Sequence, residues 1–205
     1  RYNEIPKEQR QGKPTYAAMV ESVDDSVGRV LETLRDLKLD DQTLIVFTSD
    51  NGGFAGATDH APLRANKGSN YEGGIRVPFI IKWPGKTSPG SVSKEPVIGM
   101  DIYPTVLEAT RHELKPHQHM DGVSLVPILT GSGGLKRDAI YWHYPHYNQH
   151  PWAFPSGVIR AGQWKLVEAF ETGKLSLFNL TNDIGETNDL ADSEPARLAK
   201  LHGML

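Results

Sequence analysis

The chain has 205 residues, 38% of them hydrophobic and 23% charged, which suits one compact domain or one domain with a small appendage, long enough to bury a core. A net charge of −3 with no basic stripe argues against nucleic acid as a partner, and no run of about 18 apolar residues is present to span a membrane. There is no cysteine, which excludes disulfides, thiolate metal sites and a cysteine-derived nucleophile within these residues.

The opening residues, RYNEIPKEQRQGKPTY, are polar and lack the apolar centre of a signal peptide. Residues 14–38 read as a helix: Val20, Val23, Val27, Val30, Leu31, Leu34 and Leu37 recur at three- and four-residue steps, and Pro14 fits the first turn. Asp40 and Asp41 turn the chain into a strand at 43–48, a continuous apolar run of the kind found in a sheet covered on both faces. A polar, glycine-rich loop over 50–74 leads to a second buried-type strand, RVPFIIKW at 76–83, expected in the same, mostly parallel sheet. MDIYPTVLEAT reads as a short helix entered through Asp101, with Pro104 in its first turn. The composition shifts at TGSGG, residues 130–134. Beyond it, short β-prone segments at 140–142, 158–160, 164–167 and 175–178, parted by turn residues, predict an antiparallel meander, and 195–205 a terminal helix. The expected organisation is therefore an α/β part over 1–134 and a small β-rich part over 135–205.

LIVFTSDNGG, residues 44–53, ends an apolar strand in a carboxylate and an amide on two glycines. In open α/β sheets ligands bind beyond the carboxyl ends of strands. Asp50 with Asn51 would suit a hard cation, Ca²⁺ or Mg²⁺. Asp-Asn-Gly is equally a common turn after a strand. The next loop carries Arg64, Lys67 and Arg76. A lysine on a flexible loop beside a cation would hold an anionic substrate group; each basic residue taken alone is an ordinary surface charge. His60, in TDHAPLR, lies close to both in sequence.

Taken in order, TLIVFTSDNGG, APLRANKGSNYEGGIRVPFIIKWPG, MDIYPTVLEAT and DGVSLVPILTG resemble the C-terminal half of a type I sulfatase, of the alkaline-phosphatase-like superfamily. The tail, IRAGQWKLVEAF through LSLFNLTNDIGETNDLA, is similar to that family's small C-terminal subdomain. The resemblance implies a partial alkaline-phosphatase-like layered sheet with a small antiparallel β subdomain and terminal helix. It makes Asp50 and Asn51 the second pair of Ca²⁺ ligands and Lys67 the lysine that contacts the sulfate and the leaving oxygen. Glu72, Gly73 and Gly74 look structural; Asn66 stands where the family usually has glycine. The implied partner is a sulfate ester, on a carbohydrate for preference, and the implied compartment is periplasmic or extracellular.

The family's nucleophile is a formylglycine made from Cys or Ser in a Cys/Ser-x-Pro-x-Arg setting, and it precedes the Asp-Asn block. SEPAR, residues 193–197, spells the serine version. It follows Asp50, sits in the family's tail, and reads as a helix start with Ser193 as N-cap and Pro195 in the first turn. The first aspartate pair of the metal site and the Lys-x-His block are not found either. The chain is thus expected to be a piece with half the metal and sulfate site, inactive alone, whose partner is the missing N-terminal half. YWHYPHYNQHPW offers rings and imidazoles to a sugar, and His143 and His146 are the candidates, against a partly buried aromatic loop with surface histidines. RHELKPHQH is irregularly spaced and reads as a surface loop. The competing functions are a phosphonate or phosphodiester hydrolase of the same superfamily, and a noncatalytic module that binds sulfated sugar.

Overall fold

A computed structural model describes residues 1–10 and 12–205. The chain forms two compact units, Arg1–Gly85 with Asn148–Ala153, and Lys86–Tyr147 with Phe154–Leu205. This division by contact differs from the change of sequence texture near Gly134, which instead precedes the first strand of the meander.

In the first unit, helix α1 (Pro14–Asp36) begins with proline in its first turn, as the sequence reading has it. Its apolar stripe is only partly covered: none of its residues is buried, Val27, Leu31 and Leu34 are half-buried, and Met19, Val20, Val23 and Val30 are exposed. Strand β1 (Ile45–Thr48) and strand β2 (Phe79–Lys82) share a sheet, but they run antiparallel, in the register Ile45↔Lys82 to Thr48↔Phe79. The expected parallel arrangement is therefore wrong for this pair. A parallel return needs a long crossover, usually a helix. The only helix between them is the single turn α2 (Glu72–Ile75), so the strand comes back alongside in the opposite sense. Nor is this sheet covered on both faces: Phe47 and Ile80 lie exposed.

In the second unit, helix α3 (Ile102–Ala109) is followed by the short α4 (Val126–Thr130). Asp101 stands at the start of α3 but does not cap it. Its fully buried carboxylate accepts from the Ile98 and Val123 amides at 2.9 Å each and from both terminal nitrogens of Arg137 at 2.7 and 2.9 Å. The Thr105 hydroxyl donates to the Asp101 carbonyl at 2.6 Å and accepts from the Leu125 amide at 2.8 Å. The blocks MDIYPT and DGVSL are thus one hydrogen-bonded unit.

Strands β3 (Ile140–Tyr144), β4 (Ser156–Ala161), β5 (Trp164–Ala169) and β6 (Lys174–Asn179) form the expected antiparallel meander in chain order. One face packs Ile159, Leu166 and Leu177 against Ala139 and against Leu201 of helix α5 (Pro195–His202). On β5, Lys165 is fully buried and meets the equally buried Glu186 at 2.8 Å. A charge pair so deep needs its partner, because truncating one side strands the other in a low dielectric. Helix α5 has Glu194, not Ser193, as its N-cap; the Ser193 hydroxyl donates to the Leu190 carbonyl instead, at 3.2 Å. SEPAR is accordingly the lead-in to a surface helix, without the strand-to-helix setting of a nucleophile.

Candidate active site

Strand β1 ends at Thr48, and Asp50 and Asn51 follow on the turn beyond it. Asp50 is exposed and Asn51 half-buried. The next two glycines bind this turn to the loop that carries Lys67. The Gly52 amide donates to the Gly74 carbonyl at 2.8 Å, and the Lys67 amide donates to the Gly53 carbonyl at 3.0 Å. The approach is too close for a side chain: a Cβ on Gly52 would stand 1.9 Å from the Gly73 carbonyl oxygen.

The Lys67 loop also closes on itself. The Gly73 amide donates to the Arg64 carbonyl at 2.7 Å, and a Cβ on Gly73 would lie 2.3 Å from the Ala65 carbonyl oxygen. Glu72 is buried and reaches Arg76 at 3.5 Å, one helical turn on. These contacts give the YEGG block its structural part. The Lys67 side chain itself is exposed.

The structure brings five of the candidate residues into one unit. Asp50 and Asn51 lie on the first loop, and His60, Arg64 and Lys67 on the second. The His60 ring lies over Gly53, its Nε2 2.5 Å from where a Cβ would be. That nitrogen is buried and has no hydrogen-bond partner among the described residues. The Arg64 guanidinium lies 3.9 Å from the centroid of the Tyr71 ring, a cation–π contact that orients it.

His143 and His146 belong to the second unit. His143 is exposed on β3, opposite Gly157, its ring 5.4 Å from that of Phe170; they line a cavity of about 380 Å³ with Tyr141, Glu168 and Leu205. His146 packs edge-on against Tyr144 at 5.5 Å. The third histidine of that aromatic segment belongs to the first unit, with the Asp50 turn and the Lys67 loop. His150 sits against Gly68, the residue after Lys67, and Asn148 donates from Nδ2 to the Gly68 carbonyl at 3.1 Å. The density of rings in YWHYPHYNQHPW marks the segment, but nothing in its spacing singles out which imidazole meets Gly68.

Among the described residues no three His, Asp or Glu side chains converge to hold a metal. Asp50 and Asn51 offer one carboxylate and one amide oxygen, hard donors of the kind Ca²⁺ prefers, out of the six to eight it takes. They fit part of a Ca²⁺ site.

The first unit thus joins an acidic strand-end turn to a lysine loop, and it is followed in sequence by a four-stranded antiparallel meander. The sulfatase sequence pattern matches residues 1–112, and the pattern of the N-sulphoglucosamine sulphohydrolase C-terminal region matches residues 65–202. A sulfatase of Formosa agariphila is 38% identical over 206 residues, covering 92% of this chain and 37% of that protein. The solved structure of Ps i-CgsB in complex with k-i-k-neocarrahexaose superposes with a TM-score of 0.83 at 35% identity, over 97% of this chain and 43% of its own. BT4656, in complex with its substrate D-glucosamine-2-N,6-O-disulfate, superposes at 0.76 with 27% identity, over 92% and 39%. The phosphonate monoester hydrolase of Agrobacterium radiobacter follows at 0.72 with 28% identity, over 93% and 40%. The chain belongs to the sulfatase family, and it corresponds to a C-terminal part of that family's alkaline-phosphatase-like fold. It spans less than half the length of these relatives.

Proposed function

We propose that the protein carrying these residues hydrolyses sulfate esters on a carbohydrate. The observation that supports this most is the pair of backbone hydrogen bonds joining the Asp50–Gly53 turn to the Lys67 loop. They hold an anionic turn and a cationic side chain as neighbours, one suited to a divalent cation and the other to the sulfate drawn to it.

In this reading Asp50 and Asn51 contribute two oxygen ligands to Ca²⁺, and further chain outside these residues contributes the rest. When bound, the ion supplies positive charge to the sulfate. Lys67 presents a flexible ammonium to the sulfate and to the oxygen that leaves, where negative charge grows in the transition state. The family's formylglycine nucleophile would come from further chain as well. His60, with its buried unpartnered nitrogen over Gly53, is the nearest candidate to meet a substrate hydroxyl. Arg64, held on Tyr71, and His143 and His146 in the second unit are the remaining candidates. Carbohydrate is favoured by the sugars bound to Ps i-CgsB and BT4656. Among the described residues no helix is long and apolar enough to cross a membrane, and the family favours an exported, periplasmic or extracellular site of action.

The test is kinetic, on the full-length protein. It is expected to hydrolyse 4-nitrophenyl sulfate faster than a 4-nitrophenyl phosphonate monoester. Asp50→Ala should lower bound Ca²⁺ and activity together. Lys67→Ala should keep its Ca²⁺ and lose rate equivalent to about 3–4 kcal/mol of transition-state stabilisation. Faster turnover of the phosphonate would favour the reaction of the Agrobacterium enzyme. Sugar binding without turnover of either ester would make this a binding module.

A further inference from the structure

We propose that Asn148 and His150 are positioning residues for Lys67, and that residues 148–153 form a strap holding the catalytic loop in place. The proposal rests on the reading of Lys67 as the sulfate-contacting lysine and adds the residues that aim it.

Residues 148–153 lie in sequence between β3 and β4, yet they count with the first unit, while Tyr147 and Phe154 on either side count with the second. Both exchangeable sides of the Asn148 amide are used: Nδ2 donates to the Gly68 carbonyl at 3.1 Å, and Oδ1 accepts from the His150 amide at 2.8 Å. The two bonds together fix which end of the amide faces Gly68. The His150 ring then covers the Gly68 α-carbon so closely that a Cβ there would stand 2.4 Å from Cδ2. Gly68 has φ of +88°, a left-handed conformation that leaves the backbone open on this side. Phe54, from the loop that follows Gly53, meets the His150 ring edge-on at 6.0 Å.

The peptide between Lys67 and Ser69 is therefore gripped from two directions. The Lys67 amide is tied to the metal-side turn through Gly53, and the Gly68 carbonyl is tied to the strap through Asn148. A lysine side chain has four rotatable bonds and little orientation of its own. Its ammonium can be delivered to one place only if the backbone that carries it does not move, and small misplacements of a catalytic group are costly.

Two measurements on the full-length protein test this. The first is amide hydrogen exchange. Asn148→Ala should speed exchange of the Lys67 and Ser69 amides by about tenfold or more while the β3–β6 sheet keeps its protection; Asn148→Asp, which keeps the acceptor for His150 but lacks the donor to Gly68, should behave like alanine. Unchanged exchange at both amides would overturn the strap. The second is a double-mutant cycle with 4-nitrophenyl sulfate. Asn148→Ala should lower kcat by about 10- to 30-fold with KM nearly unchanged, and in the Lys67→Ala background the same substitution should cost no more than about twofold. A full-sized loss in that background would show that Asn148 acts independently of Lys67 and would overturn the positioning role. His150→Ala, run through the same cycle, covers the case in which an Asn148 variant does not fold. If Lys67→Ala alone leaves kcat intact, the sulfate-contact reading fails, and the exchange result still decides whether the strap holds the loop.

Discussion

A glycine hydrogen in place of a methyl group decides how near the Asp50 turn and the Lys67 loop can come. At Gly52 a Cβ would meet a backbone carbonyl at 1.9 Å and the Gly74 α-carbon at 3.0 Å, with no flexible side-chain end to swing aside. Gly52→Ala should separate the Asp50 turn from the Lys67 loop, destabilising the protein by about 1–3 kcal/mol and lowering the proposed sulfatase activity of the full-length protein far more than that loss of folded protein accounts for. Gly28→Ala is the control: it adds a methyl to open space on α1 and should be neutral or stabilising by about 0.5–1 kcal/mol. Urea denaturation and initial rates of the two variants check this, and an unimpaired Gly52→Ala enzyme would refute the close-approach account. The candidates Asp50 and Asn51 stand out in the sequence as a carboxylate and an amide just past an apolar strand, but residue type alone leaves an ordinary turn open, and the role expected of Lys67 comes from the family resemblance. Asn148 was not, because its partner is a backbone carbonyl 80 residues away, and a carbonyl leaves no trace in residue type. Likewise three histidines of similar surroundings in sequence divide between two units only once the chain is folded.

At the scale of elements, the meander was readable because each strand is short, β-prone and closed off by its own turn residues, so that neighbours in sequence are neighbours in the sheet. The β1–β2 pair was not. A continuous apolar run is compatible with either strand direction, and only the long irregular connection distinguishes them. The tail after β6 adds a contact that pattern reading misses: Asp189 accepts from the Leu177 amide at 2.9 Å and the Leu190 amide donates to the Leu177 carbonyl at 2.8 Å, covering the open side of β6. Partial burial pushes the Asp189 carboxyl up, but the Leu177 amide, the Ser176 hydroxyl, the Ala191 amide and the Lys174 charge outweigh it and hold the group below its ordinary value. Its contribution to stability is thus complete above the unfolded value of about 3.9 and disappears as pH falls through the lower folded value. Asp189→Asn should therefore be less stable than the parent at pH 7, with the gap closing as the pH drops below about 4. Denaturant unfolding of both proteins at the two pH values measures it; a gap of constant size would mean that the charge of Asp189 is not what secures the strand edge.

For the whole molecule, the contrast between the two units matters most. The second has a closed core on one face of its sheet, a fully buried ion pair in Lys165–Glu186 and a second, part-buried one in Arg137–Asp101. The first leaves much of the stripe of α1 exposed, and the side chains of Phe47 and Ile80 open on a sheet of only two strands among the described residues. Exposed apolar side chains in such number seek a cover, and sequence periodicity marked the stripe while being silent on what lies against it. The 205-residue chain expressed alone is expected to bind an apolar dye, to self-associate in sedimentation, and to turn over no aryl sulfate. A monodisperse chain with no dye binding would show that the stripe needs no partner. The strap has a further consequence, for the order in which the protein is made. Gly68 leaves the ribosome 80 residues ahead of Asn148, which at about 5–20 residues per second is a delay of roughly 4–16 seconds. Throughout that interval the lysine loop waits without the proposed strap, so its completion is timed by the synthesis of a segment that lies, by sequence, between two strands of the second unit.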